Sequence, residues 1–286
     1  MKLFRHGEPG SEKTGFLDSK GQHWDLTGYQ KDFDQDFLSQ DGLKDLQNWI
    51  KKNTSSLTAL SDIRRFGPPL KNPSKIVCIG LNYSDHAAES NMAVPAEPVV
   101  FFKSTTAITG PNDPLIIPKN STKTDWEVEL GIVIGKKASY VDEADAPSYI
   151  AGYVLHNDYS ERHFQIERGG QWVKGKSCDS FAPLGPYLVT SDEIPDVNNL
   201  RLWLTVNGKM VQDGSTSNMV FKVPFLVHYL SQFMTLLPGD IISTGTPAGV
   251  GLGQKPLPWY LKAGDVVELG IDGLGTSKQV AQAYQA

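Results

Sequence analysis

The run Glu127-Val128-Glu129-Leu130-Gly131-Ile132-Val133-Ile134 restricts the fold more than any other part of the chain. Its β-branched and long apolar residues suit a strand. Side chains two apart in a strand share a face, so Glu127 and Glu129 project together from an otherwise apolar segment. Two like charges placed this way need exposure, basic partners, a shared proton or a hard divalent cation, for which carboxylate oxygens are suitable ligands.

Further β-rich runs are Ile76-Val77-Cys78-Ile79 and Val99-Val100-Phe101-Phe102. Residues 200–212 read as a hairpin, because Leu200, Leu202, Leu204 and Val206 alternate with Arg201, Trp203 and Thr205 ahead of an Asn207-Gly208 turn. Strand patterns return at 240–243 and 265–269. Helices are expected near 84–90, around 142–150 despite Pro147, and over 223–233. The expected fold class is therefore mainly β (α+β). Residues 1–70 are rich in Asp, Lys, Gln and Ser and read as a small N-terminal α+β domain, in which Leu43, Leu46, Trp49 and Ile50 share a helical face behind a candidate Asp41 cap. Three prolines between Arg65 and Pro73 read as an extended linker, leaving 71–286 as the second domain.

With 27 basic and 32 acidic residues and a formal net charge of -5, the 286-residue chain has no polycationic footprint, and nucleic acid is not an expected partner. No apolar run reaches the roughly 18 residues that a membrane span requires, and the opening Met-Lys-Leu-Phe-Arg-His-Gly-Glu-Pro-Gly lacks a hydrophobic export segment. A soluble, cytoplasmic protein is expected. Cys78 and Cys178 are too few for a disulfide or zinc framework and read as small core residues.

Several other clusters could carry chemistry. The run 156–165 crowds His156, Asp158, Glu161, Arg162 and Gln165 behind the apolar Tyr153-Val154-Leu155. Asp158 could add a third carboxylate to Glu127 and Glu129, or it could be a turn residue beside a surface Glu161–Arg162 pair. His86 and Glu89, three apart, become neighbours on a helix, where a carboxylate orients an imidazole for general-base work. Lys103 follows an apolar strand and is a candidate inward-facing cation. The run 243–251, with three glycines, lacks the Gly-Lys-Ser/Thr of a phosphate loop, and neither a Gly-x-Ser-x-Gly elbow nor a His-Glu-x-x-His helix occurs.

Taken in order, these runs resemble the fumarylacetoacetate hydrolase family from about residue 72 to the C-terminus. The resemblance is carried by Gly80-x-Asn82-Tyr83-x-x-His86-x-x-Glu89, Phe101-x-Lys103, Glu127-x-Glu129, Asp158 with Arg162 and Gln165, Lys176-Ser177, and Thr244-Gly245-Thr246-Pro247-x-Gly249-Val250-Gly251. It implies a β-roll catalytic domain, commonly homodimeric, that holds magnesium or manganese through Glu127, Glu129 and Asp158. His86 and Glu89 would be a catalytic lid dyad, Lys176 a catalytic cation, and Lys103, Arg162, Gln165 and Thr246 the residues holding the substrate. The implied reaction is metal-dependent hydrolysis of a carbon–carbon bond in a small 2,4-dioxo acid, releasing pyruvate and a carboxylic acid. The N-terminal Met1 to Gly7, with 15–18 and Trp24-Asp25-Leu26, resembles a subgroup of 2,4-diketo-3-deoxy-sugar-acid hydrolases, some of whose members are labelled ureidoglycolate lyase. The same site would also suit an oxaloacetate-type decarboxylase or a tautomerase.

Overall fold

Strand Val128–Ile134 is buried at every residue, as is its antiparallel neighbour Ile150–Asn157, and the near-continuous apolar sequence of both is what two-sided burial requires. The computed structural model describes residues 1–89 and 95–285, with all of their side chains except those of Thr54, His86, Ala87 and Ala88. On its other edge, Val128–Ile134 pairs with Ile241–Ser243, which runs parallel to Ile76–Gly80; that strand in turn pairs with Val99–Lys103. Beyond Ile150–Asn157 the sheet continues through Leu188–Thr190 to Lys2–His6, Lys13–Leu17, His23–Asp25 and Ala59–Leu60.

The first seventy residues, expected as a small N-terminal domain, thus add their strands to the edge of the large sheet. Phe66–Gly67, within the expected linker, pairs with Arg5 and His6. Helix Gly42–Asn53 buries Leu46 and packs Leu43, Trp49 and Ile50 against the core, while the Asp41 carbonyl accepts from the amides of Lys44 and Asp45.

A second sheet runs Lys209–Ser215, Arg201–Val206, Val266–Ile271, Gly275–Ala283, Leu115–Ile117 and lies against Val128–Ile134. The 201–215 hairpin turns on Asn207 and Gly208, both with positive φ (52° and 78°), the signature of a type I′ turn. Packing the second sheet against a central strand of the first gives the mainly β architecture. One expected helix is corrected: around 142–150 only a 3₁₀ turn forms, Ala146–Tyr149, with Pro147 in its first turn. Pro147 cannot donate, and the chain enters strand Ile150–Asn157 directly afterwards. Cys78 is a core residue, but Cys178 is only partly buried; burial raises both thiol pKa values, that of Cys178 to about 11. Among the described residues, no helix is long and apolar enough to cross a membrane.

Candidate metal centre and its cavity

Three carboxylates meet where the two central strands open. Glu127 precedes strand Val128–Ile134 and Glu129 lies within it, on the same side; Asp158 follows the end of Ile150–Asn157. The Asp158 amide donates to the Glu127 carbonyl at 2.9 Å, and the Glu127 amide donates to Asn157 Oδ1 at 3.0 Å, so the strand ends are stitched together. Carboxylate oxygens of Glu127, Glu129 and Asp158 lie within 4.8 Å of one another, and all three residues are buried.

Three cations answer them. Lys176 Nζ donates to Glu127 Oε2 (2.5 Å) and Asp158 Oδ2 (2.8 Å). Arg162 Nη2 donates to Glu127 Oε1 (2.7 Å), and its Nε donates to Asp125 Oδ2 (2.7 Å). Lys103 Nζ donates to Asp158 Oδ1 (2.5 Å) and to the Tyr159 carbonyl (3.0 Å). Burial favours the neutral acid at Asp158, but Lys103 and Lys176 outweigh it and hold this carboxyl well below the usual range. Burial likewise opposes the charges on Lys176 and Arg162, and their carboxylate partners reverse the balance, keeping both cations firmly protonated.

Glu129 differs. Its Oε2 accepts from two neutral donors, Ser243 Oγ at 2.6 Å and the Gly245 amide at 3.0 Å. Burial, then Asp158 and Glu127, push its pKa well up. Counting Asp125, four buried carboxylates face three buried cations, and the surplus falls on Glu129. A divalent cation is the group that this surplus fits: hard oxygen donors from three residues, with one negative charge left over.

The residues open onto a cavity of about 120 Å³ lined by Glu127, Glu129, Arg162, Gln165, Lys176 and Thr246 together with an apolar wall. Lys103, expected among the substrate-holding residues, is not on that lining: its ammonium lies behind Asp158 as a buried counter-ion. Glu89 ends helix Ser84–Glu89, and its carboxylate accepts from the Gly249 amide at 3.0 Å. A Cβ at Gly249, whose φ is 108°, would come within 1.8 Å of the Val211 carbonyl, so this glycine makes room that no other residue could, and one at Gly253 would meet the Glu89 carboxyl at 2.5 Å. The side chain of His86 lies outside the described residues. Of the large apolar residues after Gly253, Trp259 packs edge-on against Trp126 at 5.4 Å and Leu257 is exposed; neither borders the cavity.

Residues 75–281 match the fumarylacetoacetate (FAA) hydrolase C-terminal family. The chain belongs to that family. A Burkholderia multivorans protein whose name goes no further than hydrolase is 54% identical over 99% of both chains. The solved fumarylacetoacetate hydrolase of the psychrophile Exiguobacterium antarcticum is 34% identical, with a TM-score of 0.85, over 99% of this chain and 100% of that one. The maleylpyruvate hydrolase of Sphingobium sp. SYK-6, solved with manganese(II) and pyruvate, is 26% identical, with a TM-score of 0.81, over the whole of both chains. The protein is a hydrolase-type enzyme of the family, and its buried acidic triad is the feature that suggests metal binding.

The sequence gives no role to three residues that organise this centre: Asp125 and Gln212, which it leaves unmarked, and His156, which it marks only as part of the polar run 156–165. Asp125 holds Arg162 and also accepts from the amides of Gly251 (2.6 Å) and Leu252 (3.0 Å); alternation with Glu127 and Glu129 was its signal. Gln212, from the second sheet, accepts from the Val128 amide and donates to Thr246 Oγ1. His156 Nδ1 lies 2.6 Å from Ser243 Oγ. With Glu129 ionised, the Ser243 hydrogen points at Oε2, and Oγ then accepts from Nδ1–H of a neutral His156. Burial, only partly opposed by Asp158, pushes the His156 pKa down to about 3.

Two outcomes are expected from His156→Phe. Loss of the imidazole frees the Ser243 hydroxyl, and affinity for magnesium, read by calorimetry, should fall roughly 10- to 100-fold, the usual scale for a residue that orients a ligand. The native protein should also lose stability as pH drops from about 6.5 toward 3, because the unfolded imidazole binds a proton that the folded one refuses. The variant should lack that component of acid denaturation. An unchanged magnesium affinity would make His156 a packing residue only.

Proposed function

We propose that this enzyme hydrolyses the bond between carbons 3 and 4 of a 2,4-dioxo acid, releasing pyruvate and a carboxylic acid. The observation that carries the reading is the buried cluster of Glu127, Glu129 and Asp158, whose two glutamates line one cavity with Lys176, Arg162 and Gln165. A magnesium or manganese ion held by the three carboxylates would supply Lewis acidity to the substrate's oxygens. The manganese and pyruvate in the Sphingobium maleylpyruvate hydrolase support this choice of reaction.

The chain's own residues divide the remaining work. Gln165 Oε1 accepts from Arg162 Nη1 at 3.0 Å, which turns the amide nitrogen toward the cavity as a donor for the substrate's 1-carboxylate. Thr246 flanks the same end; its hydroxyl donates to the Val128 carbonyl at 2.9 Å and is fixed in place. In this reading His86, with Glu89 as its carboxylate partner, would be the general base that takes a proton from water as the oxygen adds to carbon 4. The bond between carbons 3 and 4 then breaks, and its electron pair passes to carbon 3 and on to the 2-oxo oxygen. Lys176, kept protonated by Glu127 and Asp158, faces that developing charge. A proton delivered to carbon 3 gives pyruvate, and carbon 4 leaves as the carboxylic acid.

The test follows pyruvate release from acylpyruvates and deoxy-sugar-acid analogues after EDTA treatment and again with magnesium restored. Metal-dependent pyruvate with a matching carboxylic acid is the expected result. Carbon dioxide from oxaloacetate alone would move the assignment to a decarboxylase, which needs no attacking water. His86→Ala should slow hydrolysis at least roughly 100-fold while magnesium still binds, the scale of a lost general base. Unchanged turnover would remove His86 from the mechanism.

A further inference from the structure

The cavity's polar floor accounts for the head of a dioxo acid, but its wall has a chemistry of its own. Phe101 and Trp172 meet edge-on at 5.3 Å, and a Cβ at Gly80 would lie 2.7 Å from the indole, so Trp172 rests directly on the Gly80 backbone. The Lys176 ammonium stands 5.0 Å over the Phe101 ring. The aromatic wall and the polar floor are therefore contiguous, so that a molecule anchored at Lys176 would extend along Phe101 and Trp172. Two aliphatic side chains on the same lining face water: Ile166 is 51% exposed and Leu252 is 41% exposed. Ile166 ends helix Arg162–Ile166, which also carries Gln165; the Leu252 amide is bonded to Asp125, the partner of Arg162. The elements that fix the polar anchors thus also fix an apolar mouth.

We propose that the site takes acylpyruvates whose acyl tail is alkyl or aryl rather than polyhydroxylated, with Phe101, Trp172, Ile166 and Leu252 forming the tail subsite. This rests on the acylpyruvate reading above and narrows it. Exposed aliphatic groups at a cavity mouth gain when an apolar tail displaces their water, whereas a hydroxylated tail set against them surrenders hydrogen bonds to water and finds none in return. Placing the tail here also leaves the metal centre's own residues to the invariant pyruvyl head.

The experiment is a ladder of substrates on the full-length protein with magnesium: acetyl-, butanoyl-, hexanoyl- and benzoylpyruvate, beside a 2,4-dioxo acid of matched length with a dihydroxylated tail. We expect kcat/KM to climb about fourfold per added methylene, the fold-change equivalent of ~0.8 kcal/mol per buried CH₂. The hydroxylated compound should trail its alkyl counterpart at least roughly tenfold. In Leu252→Ser and Ile166→Ser the climb should flatten, with a greater loss for hexanoyl- than for acetylpyruvate. Pyruvate release with a flat ladder, or with preference for the hydroxylated tail, overturns the subsite while leaving the acylpyruvate reading intact. If no compound yields pyruvate, that reading fails, and N-alkyl oxamates decide the subsite by calorimetry: affinity rising from N-methyl to N-hexyl supports it, and constant affinity overturns it.

Discussion

Glu129→Gln is expected to give a folded protein that no longer binds magnesium and whose kcat/KM for pyruvate release is lower by roughly a thousandfold or more, since several kcal/mol of charge stabilisation are lost. The position is chosen on electrostatic grounds. Glu127 and Asp158 each hold a salt bridge to Lys176, so a neutral substitute at either would leave a buried cation short of a partner. Glu129 has neutral donors, Ser243 and the Gly245 amide, and a glutamine oxygen can accept from both. A carboxyl whose pKa is raised on folding subtracts stability at every pH above its unfolded value of about 4.3. Gln carries no such penalty, so the metal-free melting temperature of the variant at neutral pH should equal or exceed that of the native protein. Excess magnesium should then raise the melting temperature of the native protein alone, because a ligand stabilises only the state that binds it. A magnesium-dependent shift retained in the variant would remove Glu129 from the ligand set.

The parts of this site that could be read in the sequence were those set by local geometry. Alternation put Glu127 and Glu129 on one face, and the Asn207-Gly208 turn set the first pairs of its hairpin, Val206 with Lys209 and Thr205 with Met210, ahead of a register shift at Leu204. Asp158 was legible as a candidate because it closes an apolar strand, although local evidence alone left a turn role open. Distance in sequence defeated the rest. The Asp125–Arg162, Gln212–Val128 and His156–Ser243 contacts span 37, 84 and 87 positions, and no local pattern announces which polar residue will be opposite another after two sheets close. Lys103 illustrates the same limit: its position after an apolar strand indicated an inward cation, but only tertiary pairing reveals that Asp158 and Tyr159 consume its hydrogen bonds. The N-terminal residues differ in composition from the remainder, yet Lys2–His6 pairs with Leu188–Thr190, a partner nearly two hundred positions away that composition does not encode. At 142–150 the helical spacing competed with Pro147 and with the strand that follows, and a single 3₁₀ turn is what remains.

Lys176→Met should separate two properties that usually fall together. Lys176 is buried and bridges Glu127 and Asp158, so its removal leaves two carboxylates facing each other with one fewer cation. In the metal-free protein, breaking such a buried pair should cost about 3–5 kcal/mol, read as a lower denaturation midpoint. A divalent cation is repelled by an ammonium sharing its carboxylates, and without that repulsion magnesium should bind more tightly, by roughly tenfold at the effective dielectric of such sites. Magnesium should therefore restore more stability to the variant than it adds to the native protein. Turnover should move the other way, falling at least roughly 100-fold, because the proposed reaction sets this cation against the developing charge on the 2-oxo oxygen and a methionine cannot replace it. Weaker magnesium binding in the variant would mean that Lys176 supports the ligand geometry instead of competing for it. Unimpaired turnover with tighter binding would leave Lys176 a charge balance for the empty site and no part of the chemistry.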